Sequence, residues 1–455
     1  MIHAYPGRPS VQEGDTLNLH VSGDELRFRI AIYRWEHGLV PVRVDGAQRG
    51  GWLHAEHLPE GRADEDWQWP PYPIETGHDW PSGVYLIHLE TPRGGELRLS
   101  ADSAAALFVV RARASKPILY KLPVATWHAY NCSGGGCFYA NPPRSAQPPG
   151  ARVSLRRPGG GIGGATWGAA DHYDLRSPRQ TFAHWDARFI RWLARTGYAA
   201  DFCTDLDIHA QPSLLHDYRL LISVGHDEYW TEDTRNAVED FVADGGNLAL
   251  FGANLCWWRT HLVDDATAMV CHQGGKHGAW DHWWPASGAG RPEDALSGAS
   301  DRHGGGWWDG PRETRGFIVQ QPDHWTFAGT GLGRGDALGA DTWPPLPGYE
   351  CDGVPVDHIG QDGIATLPAW RDEAGTPDGY QLLAACPLDQ RWQELPPRER
   401  HRAGEGIHVA AMGMFRRGGT VFSAGTTDWA QVLGDGRDRR VERITRNVLD
   451  RLCRT

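Results

Sequence analysis

Residues 220–230 read LLISVGHDEYW, and this stretch decides the fold. Leu220, Leu221, Ile222 and Val224 make a short apolar run of the kind that fits a strand buried on both faces, as in a parallel sheet covered by helices. Gly225 breaks the run and delivers His226, Asp227 and Glu228 into a turn. Thr231 is a good helix N-cap, and Glu232 and Asp233 place negative charge at the helix start. Ala237, Val238, Phe241 and Val242 then recur at helical spacing until Gly245-Gly246 ends the helix. Residues 247–252, NLALFG, form a second buried strand, so the unit is βαβ with a right-handed crossover. Open parallel sheets bind ligands beyond the carboxyl ends of their strands. Both GHDEYW and Ala253-Asn254 lie at that edge, which gathers acid, imidazole and amide groups in one place.

Working outward, a chain of 455 residues exceeds one typical core and divides economically into two domains. Residues 1–113 alternate apolar and polar positions in short runs, at 17–21, 26–33, 84–89 and 107–110, separated by Gly, Pro and Asp. This pattern predicts an N-terminal antiparallel β-sandwich. No titratable cluster stands out in it, so it reads as a packing or oligomer-contact module rather than a catalytic one. From Pro117 onward strands interleave with helices, and residues 114–455 read as a doubly wound α/β domain with a parallel sheet. Phe182, Trp185, Phe189, Trp192 and Leu193 share one helical face before Gly197. Further strands are expected at 198–203, 381–386, 407–415 and 420–424, with a terminal amphipathic helix at 441–452. Two stretches resist the scheme: 132–170, rich in Gly, Pro and Ser, and 263–311, rich in His, Trp and Gly. They read as binding loops covering the sheet edge.

The formal net charge of −12 argues against a nucleic-acid or anionic-membrane partner. The N-terminus lacks a charged segment followed by an apolar one, and no apolar run reaches membrane-spanning length, so a cytoplasmic location is expected. Eight cysteines are scattered without CxxC pairs. Neither a zinc ribbon nor a thioredoxin-like motif is indicated, and buried free thiols are the plainer expectation.

Five strings in order, WHAYNCSGG, HYDLRSP, GHDEYW, GANLCWWR and GYECDG, resemble the large (beta) subunit of N,N-dimethylformamidase in its C-terminal region. The similarity runs through most of the chain. What the resemblance implies is a mononuclear ferric iron held by two tyrosinates and a glutamate, here Tyr130, Tyr173 and Glu228, with His226, Asn254 and Glu350 as supporting or catalytic groups. Tyr139 and His172 compete with Tyr173, and Asp352 competes with Glu350. The implied fold is an amidotransferase-like sheet, and the implied activity is hydrolysis of a small linear, N-substituted, formamide-like amide. The large subunit of that family carries additional N-terminal sequence and works with a small partner subunit, whereas this chain begins at the sandwich and shows no fused equivalent. The expected partners are a small amide, a second copy of the chain and, by resemblance, a small subunit.

Elementary chemistry agrees with this site. Phenolate and carboxylate oxygens are hard anionic donors that suit a hard, highly charged cation. Free tyrosine ionises only near pH 10, roughly, so the metal must stabilise the phenolates. Three protein ligands leave room for water and a substrate carbonyl. A neighbouring acid or imidazole can carry the proton to the departing amine, and Asn254 can donate to the developing oxyanion. The plainer readings stand beside these: a Tyr in a Gly-rich loop as a packing residue, His226 as a helix cap, and Asp227 as a structural acid outside the site. Other readings are a metal held by His272, His277 and His282, whose spacing suits neither a helical face nor a zinc loop, and a cysteine hydrolase, disfavoured because the turn carries Glu228. A non-catalytic carbohydrate- or peptide-binding protein is the alternative of a different class, suggested by the tryptophan pairs 257–258, 283–284 and 307–308. Those pairs serve equally as core anchors or as an apolar pocket wall. Thr426, Thr427 and Asp428 are expected to line the pocket at most.

Overall fold

The computed structural model describes residues 1–25, 27–45, 52–100, 102–113, 116–143, 151–168, 170–274, 279–284, 288–368, 375–393, 406–433 and 438–454. Leu220–His226 is a strand with every residue buried, and it lies between two parallel neighbours, Ile118–Leu122 and Asn247–Ala253. These belong to a nine-stranded sheet. Ala200–Thr204 lies outside Ile118–Leu122, and Gly419–Ser423 outside Asn247–Ala253, so five successive strands run parallel. The sheet then continues through Val409–Arg417, Gln381–Pro387, Phe317–Val319 and Ala337–Leu338, each antiparallel to the one before. The expected parallel sheet is therefore a mixed one, parallel only over the half that contains the opening stretch. An apolar run reports burial and not strand direction, so the antiparallel half had no separate signature.

Both faces are covered, as a doubly wound arrangement requires. Leu220, Ile222 and Val224 face one core, packed with Phe189 and Trp192 of the Asp186–Thr196 helix and with Ile444 and Val448 of Arg439–Leu452. Leu221 faces the other, with Val238, Phe241 and Val242 of Glu232–Ala243. That helix begins as the sequence predicts, with Thr231 Oγ1 accepting from Thr234 N at 3.1 Å. It ends at Asp244 before Gly245, whose φ of 103° a side chain would oppose.

The N-terminal segment forms two packed sheets. One contains Ile2–Pro6, Thr16–Gly23 and Pro71–Glu75, and the other has Arg27–Trp35, Gly83–Glu90 and Ala105–Arg111 at its centre. Leu19 and Val21 of the first meet Ile30, Ile87 and Phe108 of the second in a shared core. One edge departs from the antiparallel expectation, since Ser10–Gln12 pairs parallel with Ala105–Arg111. The outer face of the larger sheet, through Val84, Leu86, Leu107 and Val109, joins the core of the α/β sheet. The two irregular stretches pair with each other where Ala151–Ser154 lies antiparallel to Ala268–Cys271, and the second also pairs outside them, with Ser300–Gly306 antiparallel to Glu350–Gly353. Among the described residues, no helix is long and apolar enough to cross a membrane.

Candidate active site

Gly225 has a φ of 71°, and a Cβ there would lie 2.7 Å from Trp185 Cβ, so only glycine lets the strand turn this close to the helix beneath. The turn it makes is anchored by Asp227. This fully buried carboxylate pairs with the fully buried Lys121 ammonium, accepts from Ser223 Oγ at 2.5 Å and accepts from Trp230 Nε1 at 3.0 Å. Asp227 is thus structural, and Glu228 is what the turn presents. The Glu228 and Tyr229 amides both donate to Thr126 Oγ1, at 3.0 and 3.1 Å, which locks the turn to the Val124–Tyr130 helix.

That helix carries Tyr130, whose hydroxyl donates to Glu228 Oε2 at 2.8 Å. The other carboxylate oxygen, Oε1, accepts from Tyr139 at 2.7 Å, and the Tyr130 and Tyr139 rings stack with centroids 4.4 Å apart. Tyr229 in turn donates to the Tyr139 hydroxyl at 2.7 Å. Tyr173 is placed elsewhere: its hydroxyl accepts from Arg312 N at 2.5 Å, and its ring packs on Trp343 and under the Arg312 guanidinium. His172 sits beside it, also against Trp343. Of the two tyrosines weighed for the second position, the structure brings Tyr139 to Glu228 and leaves Tyr173 in a separate contact set.

On the far side of Glu228, His226 Nε2 lies 3.7 Å from its Oε2 and 2.9 Å from Glu350 Oε2. His226 Nδ1 contacts Gln180 Oε1 at 2.7 Å, and since an amide oxygen only accepts, the ring carries a proton on Nδ1. Gln180 was not singled out in the sequence: it sits alone in an irregular segment with a φ of 62°, a conformation a non-glycine residue seldom adopts without reason. Glu350 accepts from Trp308 Nε1 at 2.9 Å and from Asn254 Nδ2 at 3.0 Å. Asn254, at a φ of 50°, also gives its backbone N–H to Asp352 at 2.8 Å, and its Oδ1 is buried without a partner. Glu350 and Asp352 lie on one strand two positions apart and both reach Asn254, but only Glu350 joins the imidazole. Thr427 Oγ1 accepts from Glu350 N at 3.3 Å, and Thr426 Oγ1 donates to Gly348 O at 2.6 Å. Asp428 binds Trp185 and Arg312, so these three hold the Glu350 segment in place rather than forming a wall.

Burial sets the electrostatics. His226, Glu228, Asn254, Glu350 and Tyr130 are all 6 % exposed or less. Burial pushes the Glu228 carboxyl up to about 7, with His226 pulling it down and Glu350 pushing it further up. Burial also acts on Glu350, but the charge and hydrogen bonds of His226, then Trp308 and Asn254, outweigh it and bring that carboxyl down to about 2. For His226, burial opposes the cation and the Glu350 carboxylate overcomes it, so its pKa stands above the usual imidazole value. Burial, followed by the Glu228 charge, lifts both Tyr130 and Tyr139 well above the ordinary phenol value. Two phenols so placed ionise only against a strong positive charge.

The rival histidine trio of the 263–311 stretch is described only in part. His277 lies outside the described residues, and His282 is buried between the Trp258 and Trp284 rings, with centroids 4.0 Å from each. His272 Nδ1 instead meets Asp281 Oδ2 at 2.6 Å, and His261 Nε2 meets Oδ1 at 3.1 Å. Trp257 packs on Trp284, and Trp283 lies beneath Arg235; Trp257 and Trp258 share a core with Tyr130, against which Tyr139 and Trp284 pack, and Trp308 bonds Glu350.

The site thus joins a buried carboxylate with two phenols on its oxygens to an imidazole–carboxylate pair, at the carboxyl edge of a mixed sheet. The chain belongs to the N,N-dimethylformamidase beta subunit-like, C-terminal family, whose model matches residues 28–442. It is similar to the N,N-dimethylformamidase beta subunit of Paracoccus aminophilus, at 25% identity over 299 residues, and to that of Alcaligenes sp, at 24% over 300. These matches cover 58% and 59% of this chain but 36% of each relative, so the chain spans about a third of the length of the curated proteins it matches.

Proposed function

We propose that the chain is an amidohydrolase that cleaves the C–N bond of a small linear, formamide-like amide, with a mononuclear ferric iron at the Glu228 cluster. The observation that carries this is the convergence of two buried tyrosine hydroxyls on the two oxygens of Glu228, beside the His226–Glu350 pair. Three hard oxygen donors within hydrogen-bond reach of one another, in a site where burial resists phenolate formation, fit a hard and highly charged ion. Tyr130, Tyr139 and Glu228 would hold it, with Tyr139 taking the place that the family resemblance assigns to Tyr173. When bound, the ion supplies Lewis acidity toward the amide carbonyl and toward water.

The remaining chemistry belongs to the side chains. Gln180 fixes the His226 ring so that Nε2 faces both Glu228 and Glu350, in position to hold a proton and give it to the departing amine. Glu350 stabilises the charge His226 then carries, and Trp308 and Asn254 hold Glu350. Asn254 offers its second Nδ2 hydrogen to the developing oxyanion, an effect worth about 3 kcal/mol in comparable sites. Near-complete burial of these groups excludes bulk water and favours a substrate of a few heavy atoms.

The parallel half of the sheet reads as amidotransferase-like, with Glu228 at the turn where such folds place a nucleophile. The enzyme acts in the cytoplasm, with a second copy of itself or a small subunit as its partner. Assay of formamides, acetamides and ureas tests the activity. Release of amine by the wild type, lost by at least about a hundredfold in His226→Gln, supports it. No turnover by iron-loaded protein on any of these classes would refute it and favour a binding protein.

A further inference from the structure

The loop between the two tyrosines on Glu228 carries two cysteines in symmetric positions: Cys132 follows Tyr130 by two residues, and Cys137 precedes Tyr139 by two. Their sulfurs are 3.1 Å apart. A disulfide has its sulfurs about 2 Å apart, so the pair stands about 1 Å short of a bond. The loop that presents them is built and not slack. Gly134 and Gly135 turn it at φ of 82° and 84°, and Gly135 N donates to Cys132 O at 3.0 Å. Cys137 N donates to Ala140 O at 2.8 Å, and Ala140 N donates to Cys137 Sγ at 3.2 Å. From below, the buried Arg157 guanidinium donates to the carbonyls of Asn131 and Ser133, both at 2.7 Å, and of His128 at 3.2 Å. Both thiols are free, and Cys132 is half-buried, which leaves it open to a small oxidant.

We propose that Cys132 and Cys137 form a reversible disulfide that clamps the span between Tyr130 and Tyr139 and so tunes the hold of the Glu228 cluster on its ion. With hydrogen peroxide as oxidant, the two thiols give up two protons and two electrons, one S–S bond forms, the O–O bond breaks and two waters leave. A thiol reductant reverses the step. The bond closes a ring only six residues around, shortening one side of the loop by about 1 Å. Tyr130 and Tyr139 lie two residues beyond the two ends of that ring, and their hydroxyls bracket a single carboxylate. Oxidation therefore removes freedom from both tyrosines together.

The disulfide itself is independent of the amidase reading, whereas its effect on the ion rests on it. The test is peroxide treatment of the purified full chain, alkylation of remaining thiols in denaturant, and peptide mass mapping. We expect two of the eight thiols to be lost and the peptide spanning 132–137 to be lighter by two hydrogens, with no such product in Cys132→Ser. Backbone hydrogen exchange over 130–139 should slow by at least about threefold in the oxidised wild type, and iron release to a chelator should slow alongside it. Retention of all eight thiols, or pairing elsewhere, overturns the disulfide. Pairing at 132–137 with unchanged exchange overturns the clamp. Protein that takes up no iron on reconstitution with ferric iron, yet still forms the bond and slows exchange, counts against the proposed cofactor and leaves the clamp standing.

Discussion

Replacing Lys121 by methionine probes the device that aims Glu228. The Lys121 ammonium and the Asp227 carboxylate are both fully buried and pair directly, and the ammonium also lies 4.5 Å from the centre of the Trp230 ring. Lys121→Met keeps the apolar stem and removes the charge, leaving the Asp227 side chain with two neutral donors, Ser223 Oγ and Trp230 Nε1. Stranding one member of a buried ion pair costs about 3–5 kcal/mol, and the two surviving hydrogen bonds put the expectation at the lower end, about 3 kcal/mol. Asp227→Asn strands the ammonium and should cost a similar amount. The double variant removes both members of the pair and should recover at least about 2 kcal/mol relative to the sum of the two single losses. Urea unfolding followed by the fluorescence of the 22 tryptophans gives the midpoints, compared at equal slope. A single-variant cost below about 1 kcal/mol, or strict additivity in the double, would refute the assignment of Asp227 as the charge-paired anchor of the turn.

Gly225→Ala meets both a φ of 71° and a clash 2.7 Å from Trp185 Cβ, so it should cost at least about 2 kcal/mol in the same urea assay; a smaller loss contradicts the packing described. Tyr173→Phe removes one hydrogen bond from Arg312 N and should cost about 1 kcal/mol while leaving iron content unchanged, as metal analysis would check. Asp281 carries a pH-dependent term: burial pushes its carboxyl up, but hydrogen bonds and charge from His261 and contacts from His272 bring it down to about 2 in the folded protein, below the unfolded value near 3.8. A depressed folded value stabilises above about pH 4 and is lost as pH falls toward 2, amounting to at most about 2 kcal/mol after solvent screening. Asp281→Asn should therefore unfold at lower urea than wild type at pH 6, with the gap narrowing below pH 4.

The strand, turn and helix from 220 to 243 were legible because each carries its own local chemistry: an unbroken apolar run, a glycine, a threonine cap and apolar residues at helical spacing. His226, Glu228 and Asn254 were legible for the same reason, since they follow directly from strand ends. Glu350 and Asp352 were not separable, because residues two apart on a strand share a face and both of these reach Asn254. Tyr139 could not be preferred to Tyr173, since both lie in segments without periodicity, where the path of the chain is set by contacts as distant as those of Arg157 and Arg312. Gln180 carried no signal beyond its type. The direction of the four antiparallel strands was equally hidden, although Gly418 at a φ of 72°, between Val409–Arg417 and Gly419–Ser423, marks the one tight hairpin among them.

The most direct measurement is the iron content and visible absorption of purified protein reconstituted with ferric iron, for the wild type, Tyr130→Phe, Tyr139→Phe and Glu228→Gln. We expect about one iron per chain and a tyrosinate-to-iron charge-transfer band in the wild type, a weakened band in either tyrosine variant, and loss of iron in Glu228→Gln. A colourless wild type without stoichiometric iron, or a band untouched by Tyr139→Phe, would contradict the assignment of Tyr130, Tyr139 and Glu228 as the metal's ligands.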